Sequence, residues 1–143
     1  MSEQNKELVR RAARAMFDEG DLAAADELFH PKYVNHEAAD GRPAGPDGAR
    51  ETASWLRATF GNPSYEEHDT IAEEDRVVMR VMFKGTHTGE LMGMPATGKS
   101  FSVQHIHMYR IEDDKIAEHW ACRDDVGLMR QIGVIPDRQL ASS

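Results

Sequence analysis

Residues 101–133 have the sequence FSVQHIHMYRIEDDKIAEHWACRDDVGLMRQIG, and this stretch decides the fold. A period-two alternation of side chains runs through residues 101–111 and again through 115–124, which predicts two β-strands. The Asp113-Asp114 pair between them suits a tight two-residue turn. We therefore predict a β-hairpin that leads directly into a helix over residues 125–132.

The register of this hairpin follows from the turn. If residues 112 and 115 flank the turn, His107 lies opposite Trp120 on the neighbouring strand. The same register assigns one inner face to His105, His107, Trp120 and Asp124. It assigns the outer face to Arg110, His119 and Arg123. The inner set has the composition of one wall of a ligand pocket.

The size and charge of the chain limit its class. Its 143 residues suit one domain, residues 1–143. The formal net charge is -8, with 17 basic residues scattered along the sequence, so nucleic acid and anionic membranes are poor candidate partners. The single cysteine cannot form an internal disulfide, and the N-terminus is polar, so we expect a cytoplasmic protein.

The rest of the chain predicts helices followed by strands. Apolar residues recur at helical spacing through residues 5–19, 21–29 and 46–60, and Gly61-Asn62-Pro63 is expected to end the third helix. Residues 65–73 and 77–88 are predicted strands, and 89–99 is a predicted loop. Helices that precede a run of antiparallel strands indicate an α+β fold. We expect a curved antiparallel sheet that forms a cone, with the helices packed on it and a pocket inside.

Four segments carry a resemblance to a known family. They are YVNHEAADG (33–41), FKGTHTGELMGMPATGK (83–99), YRIEDDKIAEHW (109–120) and DDVGLMRQIG (124–133). Together they resemble the SnoaL-like polyketide cyclases, members of the nuclear-transport-factor-like superfamily. The resemblance implies a curved sheet around a pocket and a ring closure of a polyketide-like ester by intramolecular aldol condensation, without a cofactor. It also implies an aspartate as acid and base, which on this sequence is Asp124.

Three residues are the candidate catalytic groups. A carboxylate of Asp124 on an apolar inner face would have a raised pKa and could exchange a carbon-bound proton near neutral pH. Asp124 could instead cap the final helix, but we assign the cap to Asp125. His105 and His107 could each donate a hydrogen bond to the developing enolate oxygen, and His107 ranks slightly first because it faces Trp120.

Further residues are expected to bind the substrate or to support the fold. The predicted substrate-binding residues are Asn35, His36, Met92, Met94, Tyr109 and Trp120. His87, within Gly-Thr-His-Thr-Gly, is expected to stabilise a bend of the chain. No metal site is predicted, because no helix carries two histidines at i and i+4 and the strand histidines lack a third ligand.

Other functions remain open at this point, among them those of the isomerases and hydroxylation components that the same superfamily includes. A non-catalytic small-molecule binding protein could use the same pocket. A hydrolase that resembles the epoxide hydrolases of this superfamily would need two aspartates and an arginine around one water, whereas the predicted register turns Arg110 and Arg123 outward. The mixed apolar and charged outer face favours a homodimer.

Overall fold

The computed structural model describes residues 2–38 and 41–136. Helix α1 (Ser2–Ala13) continues into a π-helical stretch, Arg14–Asp18, and a 3₁₀ turn, Leu22–Ala24, precedes the short α2 (Ala25–Leu28). Helix α3 (Pro46–Thr59) follows a loop and begins with proline at its first turn, where the missing N–H has no helical partner to lose. Helix α4 (Asp125–Gln131) lies near the end of the described chain. The predicted helices are confirmed in position and order.

Five strands form one sheet. They are β1 (Phe29–Asn35), β2 (Phe60–Glu73), β3 (Arg76–His87), β4 (Ser100–Glu112) and β5 (Lys115–Arg123), in the spatial order β1-β5-β4-β3-β2. The neighbours from β5 to β2 are antiparallel, as predicted, but β1 pairs with β5 in parallel. The sheet is curved and unclosed, so the α+β fold is confirmed and the expected cone stays open at β1 and β2.

The start of β2 differs from the prediction. Helix α3 ends at Thr59 and β2 begins at the next residue, so Gly61-Asn62-Pro63 lies inside the strand. The pairing with β3 shifts between Gly61 and Ser64, since Pro63 has no N–H to donate to the ladder. This irregularity replaces the loop that the sequence suggested.

Two groups of buried apolar side chains join the helices to the concave face of the sheet. One group connects α1, α2 and α3 to the middle strands and includes Leu28, Ala53, Val77 and Ile116, each at most 1% exposed. The other connects β2, β3 and β4 to α4 and includes Phe60, Phe83, Phe101 and Ile132. Tyr65 packs against both groups, and a cavity lies beside it between the helices and the sheet.

The β4–β5 hairpin has the predicted turn and an unpredicted bulge. Asp113 and Asp114 both have positive φ, 54° and 59°, as a two-residue hairpin turn requires. Ile111 then pairs with Ile116, but Arg110 pairs with Glu118, so Ala117 is an extra residue in β5. The predicted register is therefore wrong beyond Ala117.

The bulge has a physical reason. Without it, the carboxylate of Glu118 would point into the apolar interior, which is costly for a charged group. With it, Glu118 lies on the outer face, where it accepts a hydrogen bond from Nε of Arg110. Its consequence is that His119, Ala121 and Arg123 face inward, opposite Tyr109, His107 and His105.

The helices of the described ranges were also compared with the length and hydropathy that a bilayer requires. Within residues 2–38 and 41–136, none is long and apolar enough to cross a membrane.

Candidate active site

The cavity between the helices and the sheet has two compartments. The inner one, about 60 Å³, lies against α1, β1 and the middle of β4. The outer one, about 320 Å³, lies between α3, the loop after β3 and α4. Five residues line both compartments and so mark the junction between them: Asn35, Thr52, Leu56, Tyr65 and Arg123.

Three histidines form a hydrogen-bonded chain along the inner face. Nδ1 of His105 lies 3.2 Å from Nε2 of His107, and Nδ1 of His107 lies 2.8 Å from Nε2 of His119. Nδ1 of His119 lies 2.8 Å from Oδ1 of Asn35. The rings are buried, with at most 8% exposure, and Tyr65 and Tyr109 pack against them. The chain joins β4 and β5 to the end of β1.

Asn35 fixes the tautomer of every ring in this chain. Its Oδ1 accepts the backbone N–H of Glu37, so the same oxygen must also accept from Nδ1–H of His119. A neutral His119 then accepts at Nε2 from His107, and a neutral His107 accepts at Nε2 from His105. His105 is left with an unprotonated Nε2, which has no hydrogen-bond partner among the described residues. This free lone pair belongs to the histidine that lines the outer compartment.

Burial keeps these rings neutral. Desolvation lowers the pKa of His105 and of His107 from 6.5 to about 3, and it lowers the pKa of His119 well below its usual value. The positive charge of Arg123 acts in the same direction on all three. The site therefore holds a chain of neutral donors and acceptors near neutral pH.

Arg123 is the one charged side chain among the described residues that line the inner compartment. It comes from the last residue of β5, which the bulge turns inward. Its nearest carboxylate is that of Asp125, with Nε and Oδ1 separated by 3.9 Å, and the two side chains are 37% and 65% exposed. Such a long, solvated pair contributes little to stability, so the guanidinium is available to a ligand.

Asp124 does not lie in the cavity. Its carboxylate accepts the N–H of Gly127 at 2.8 Å and caps α4, and it lines neither compartment. A Cβ at residue 127 would approach this carboxylate to 2.2 Å, so the cap requires glycine there. Asp125, to which the sequence analysis gave the cap, lines the outer compartment instead. The predicted positions of the two aspartates were exchanged because the bulge moves the strand by one residue.

Trp120 and His36 also lie away from the cavity, contrary to prediction. Their rings stack on the outer face with centroids 4.8 Å apart, and the Arg76 guanidinium lies 5.1 Å from the Trp120 ring. His36 bonds to the Glu118 carboxylate at 2.8 Å. The outer face of β5 thus carries Trp120 and Cys122, whereas His119, Ala121 and Arg123 face inward. A homodimer through the outer face stays a prediction.

The other predicted residues divide between the cavity and the fold. Asn35, Met92 and Tyr109 line the cavity as expected, whereas Met94 does not. His87 is fully buried, and its Nδ1 bonds to Thr97, which ties the loop after β3 to the sheet. His105 and His107 face inward as predicted.

Among the cavity residues that the sequence analysis missed, three carry polar or charged side chains that bear on function: Thr52, His119 and Arg123. A signal for the last two exists in the sequence, because Ile116-Ala117 are two consecutive apolar residues in an otherwise alternating strand. Consecutive apolar residues at that point are typical of a bulge, and both side chains are buried. Thr52 had no such signal, since a threonine on a helix is common on either face.

One group of described residues has the spacing of metal ligands, and it lies at the hairpin turn. His30 Nε2 is 3.3 Å from a Glu112 oxygen and 3.4 Å from an Asp113 oxygen. Nδ1 of His30 accepts the backbone N–H of Lys32, so Nε2 of the neutral ring carries the proton. A protonated nitrogen donates to the carboxylates and has no lone pair for a metal.

Comparison with known proteins agrees with this architecture. The family model described as SnoaL-like polyketide cyclase matches residues 7–132. The chain belongs to the SnoaL-like polyketide cyclase family. Aklanonic acid methyl ester cyclase DnrD of Streptomyces peucetius is 35% identical over 130 residues, which cover 89% of each chain. Nogalonic acid methyl ester cyclase of Streptomyces nogalater is 35% identical over 119 residues, 82% of this chain and 89% of the relative.

Two solved structures that are similar in sequence have the same fold. TsrD from Streptomyces laurentii superposes with a TM-score of 0.84 at 32% identity, covering 93% of this chain and 97% of that one. Wild-type IdmH from Streptomyces antibioticus gives a TM-score of 0.78 at 30% identity, covering 91% and 99%. The family resemblance stated from the sequence is therefore confirmed across almost the whole chain.

Proposed function

We propose that this member of the family is a cyclase that closes a ring in a polyketide-like ester by intramolecular aldol condensation. The curated relatives are named for reactions of two methyl esters, of aklanonic and of nogalonic acid. The observation that carries the proposal is the unprotonated Nε2 of His105 at the wall of an apolar cavity. An unprotonated imidazole nitrogen that faces the substrate can accept a proton from the carbon next to a carbonyl.

The base in this proposal is His105, with the other two histidines behind it. Nε2 of His105 removes a proton from the carbon next to the ester carbonyl, and the carbon–hydrogen electron pair forms the enolate. Nδ1–H of His105 remains bonded to His107, which holds the ring in place. This differs from the aspartate that the resemblance implied, because Asp124 caps α4.

The ring then closes without any change of oxidation state. The enolate carbon attacks the ketone carbon of the same molecule, the new carbon–carbon bond forms, and the ketone oxygen becomes an alkoxide. That alkoxide takes back the proton from Nε2–H of His105. Substrate and product are isomers, so the chemistry calls for no electron carrier and no co-substrate.

The cavity walls suit a flat and largely apolar molecule. The apolar side chains that line the outer compartment include Trp55, Phe60, Phe83, Leu91 and Met92. Its volume, about 320 Å³, falls within the range of small-molecule sites. Rigid aromatic walls hold two reacting carbons of one chain close together, which is the main requirement of an intramolecular reaction.

The test is turnover of aklanonic acid methyl ester or nogalonic acid methyl ester, followed by chromatography of the cyclised product. We expect His105→Gln to lower kcat by about 10²–10⁴-fold, the usual contribution of a general base. The matched control is His36→Gln, which changes a histidine of the outer face and should leave kcat within about twofold. Full turnover by His105→Gln would contradict the assigned base.

A binding protein without turnover is the second candidate, and the low pKa of the histidines favours it. A histidine with a pKa of about 3 is a weak base in the empty site. If wild-type protein binds either ester but returns it unchanged, the binding function is supported and the cyclase is not. A hydrolase with two aspartates fits less well, since Asp125 is the one aspartate among the described cavity residues.

A further inference from the structure

The proposed ring closure develops a negative charge on the enolate oxygen, and the histidine chain has no free N–H group to stabilise it. Each of the three Nδ1–H groups is already donated along the chain, to His107, to His119 and to Asn35. Nε2 of His105 carries no proton until it has taken one from the substrate. The enolate oxygen therefore needs other donors, and a buried oxyanion without donors would be strongly disfavoured.

We propose that Asn35, Thr52 and Arg123 form an oxyanion-binding site at the junction of the two compartments and hold the enolate oxygen there. This inference rests on the proposed function and adds the group that stabilises its intermediate. All three side chains line both compartments, so they surround the passage that a substrate spanning the cavity must occupy.

Thr52 supplies the most specific observation. Its Oγ1 is buried and has no hydrogen-bond partner, although buried hydroxyl groups nearly always have one. A hydroxyl on an α-helix commonly bonds back to a carbonyl of the preceding turn, as Thr59 does to Trp55 at 2.8 Å. Thr52 makes no such bond, so its donor is free for a ligand in the cavity.

Asn35 has a donor with a fixed direction. Its Oδ1 is held by the N–H of Glu37 at 3.0 Å and by His119 at 2.8 Å, which determines the orientation of the whole amide group. The Nδ2 group has no hydrogen-bond partner among the described residues, and the side chain lines both compartments. The same residue thus orients the histidine chain and has an amide NH₂ group left for a ligand at the junction.

Arg123 supplies the charge. Its long contact with Asp125, 3.9 Å, leaves the guanidinium largely uncompensated at the junction. Its field also lowers the pKa of His105 and of His107. An anion bound to Arg123 would oppose that field, so formation of the enolate and protonation of His105 favour each other.

The experiment uses 4-nitrophenol as a small aromatic probe whose neutral form and anion absorb at different wavelengths. If the junction binds oxyanions, the pKa of the bound probe falls by about one unit or more, since one unit is a tenfold preference for the anion. Arg123→Gln should abolish this shift. The matched control is Arg76→Gln, an arginine that lies over Trp120 on the outer face, and it should retain the full shift.

Thr52→Val separates a ligand-binding role from a structural one. Removing an unpaired buried hydroxyl should raise the Tm of the empty protein, whereas it should weaken binding of the 4-nitrophenol anion several-fold. A lower Tm together with unchanged anion binding would show that the hydroxyl supports the fold, and would overturn its assignment. An unshifted or raised pKa of the probe in wild-type protein, or no binding of the probe, would overturn the site as a whole.

These outcomes are distinguishable from failure of the proposed cyclase. If His105→Gln keeps full turnover but the bound probe is ionised in an Arg123-dependent way, the base assignment fails and the oxyanion site stands. If turnover depends on His105 while the pKa of the probe is unshifted, the base stands and the oxyanion site fails.

Discussion

The role of a single residue depends on where its side chain lies, and Asp124 is the clearest example in this protein. A carboxylate near a hairpin of histidines suggested a catalytic acid from the sequence. In the structure the same carboxylate caps α4, and the inner face gains His119 and Arg123. His105 and His107 were placed correctly because they lie in β4, before the bulge. Residues of β5 beyond Ala117 were misplaced, since their orientation depends on one extra residue.

Loss of the cap should affect stability and not catalysis. We expect Asp124→Ala to lower the free energy of unfolding by about 1 kcal/mol, because it removes the side-chain acceptor for Gly127 N–H. Asp124→Asn retains an acceptor oxygen, so it should lower the free energy of unfolding by less than Asp124→Ala. Urea unfolding and the initial rate of ester turnover would be measured on both variants. A large fall in kcat with unchanged stability would restore Asp124 as the acid and base.

Among the elements, the β4–β5 hairpin was predicted correctly in its strands and turn and wrongly in its register beyond Ala117. Its strands, its turn and the following helix were all confirmed, since alternation and turn chemistry are local properties of the sequence. Its bulge was missed because the two consecutive apolar residues Ile116-Ala117, its one local sign, were taken as part of a regular strand; contacts of Glu118 with Arg110 and His36 then hold the bulged register. The parallel pairing of β1 was not predicted, since a short strand carries no sign of its neighbour.

The turn itself can be improved. Asp114 has a φ of 59°, a conformation that glycine adopts at lower cost than aspartate. We expect Asp114→Gly to raise the free energy of unfolding by about 0.5–1 kcal/mol. The matched control is Asp114→Ala, which removes the same charge but keeps a Cβ and should destabilise the protein. If both variants changed stability equally, the charge and not the backbone would be the cause.

Three histidines are buried in their neutral form, and their lowered pKa values make the stability of the whole molecule depend on pH. Unfolded histidines titrate near 6.5, whereas the pKa of folded His105 and of folded His107 is about 3. Between these values the unfolded chain binds more protons than the folded one. The stabilisation is therefore complete above about pH 6.5 and is lost as the pH falls.

Each such histidine should contribute a slope of about 1.4 kcal/mol per pH unit within that window. We expect the free energy of unfolding to fall steeply between about pH 6 and pH 4, which is the middle of the window for these groups. His107→Phe removes one titrating ring and should flatten the slope, while His68→Gln, on the exposed part of β2, should not. Denaturant unfolding at a series of pH values would measure both slopes. An equal slope in the His107 variant would show that other groups dominate acid unfolding.

At the same scale, the α+β fold, the helices before the four antiparallel strands and the internal cavity were all predictable. They follow from hydrophobic periodicity, which many residues share and which tolerates local errors. The open edges of the sheet were not predictable, because closure depends on curvature and pairing across the whole chain.

The bulge at Ala117 also bears on how such a cavity could change over generations. Strand β5 carries two interleaved sets of side chains, one of His119, Ala121 and Arg123 and the other of Glu118, Trp120 and Cys122. The extra residue, Ala117, determines which of these two sets faces the ligand. Deletion of Ala117 would replace the cationic, imidazole-lined wall that β5 gives the cavity by an acidic, indole-lined wall. No substitution would be needed. In this fold, insertions and deletions of one residue are a route to new ligand chemistry that point mutations would reach only in several steps.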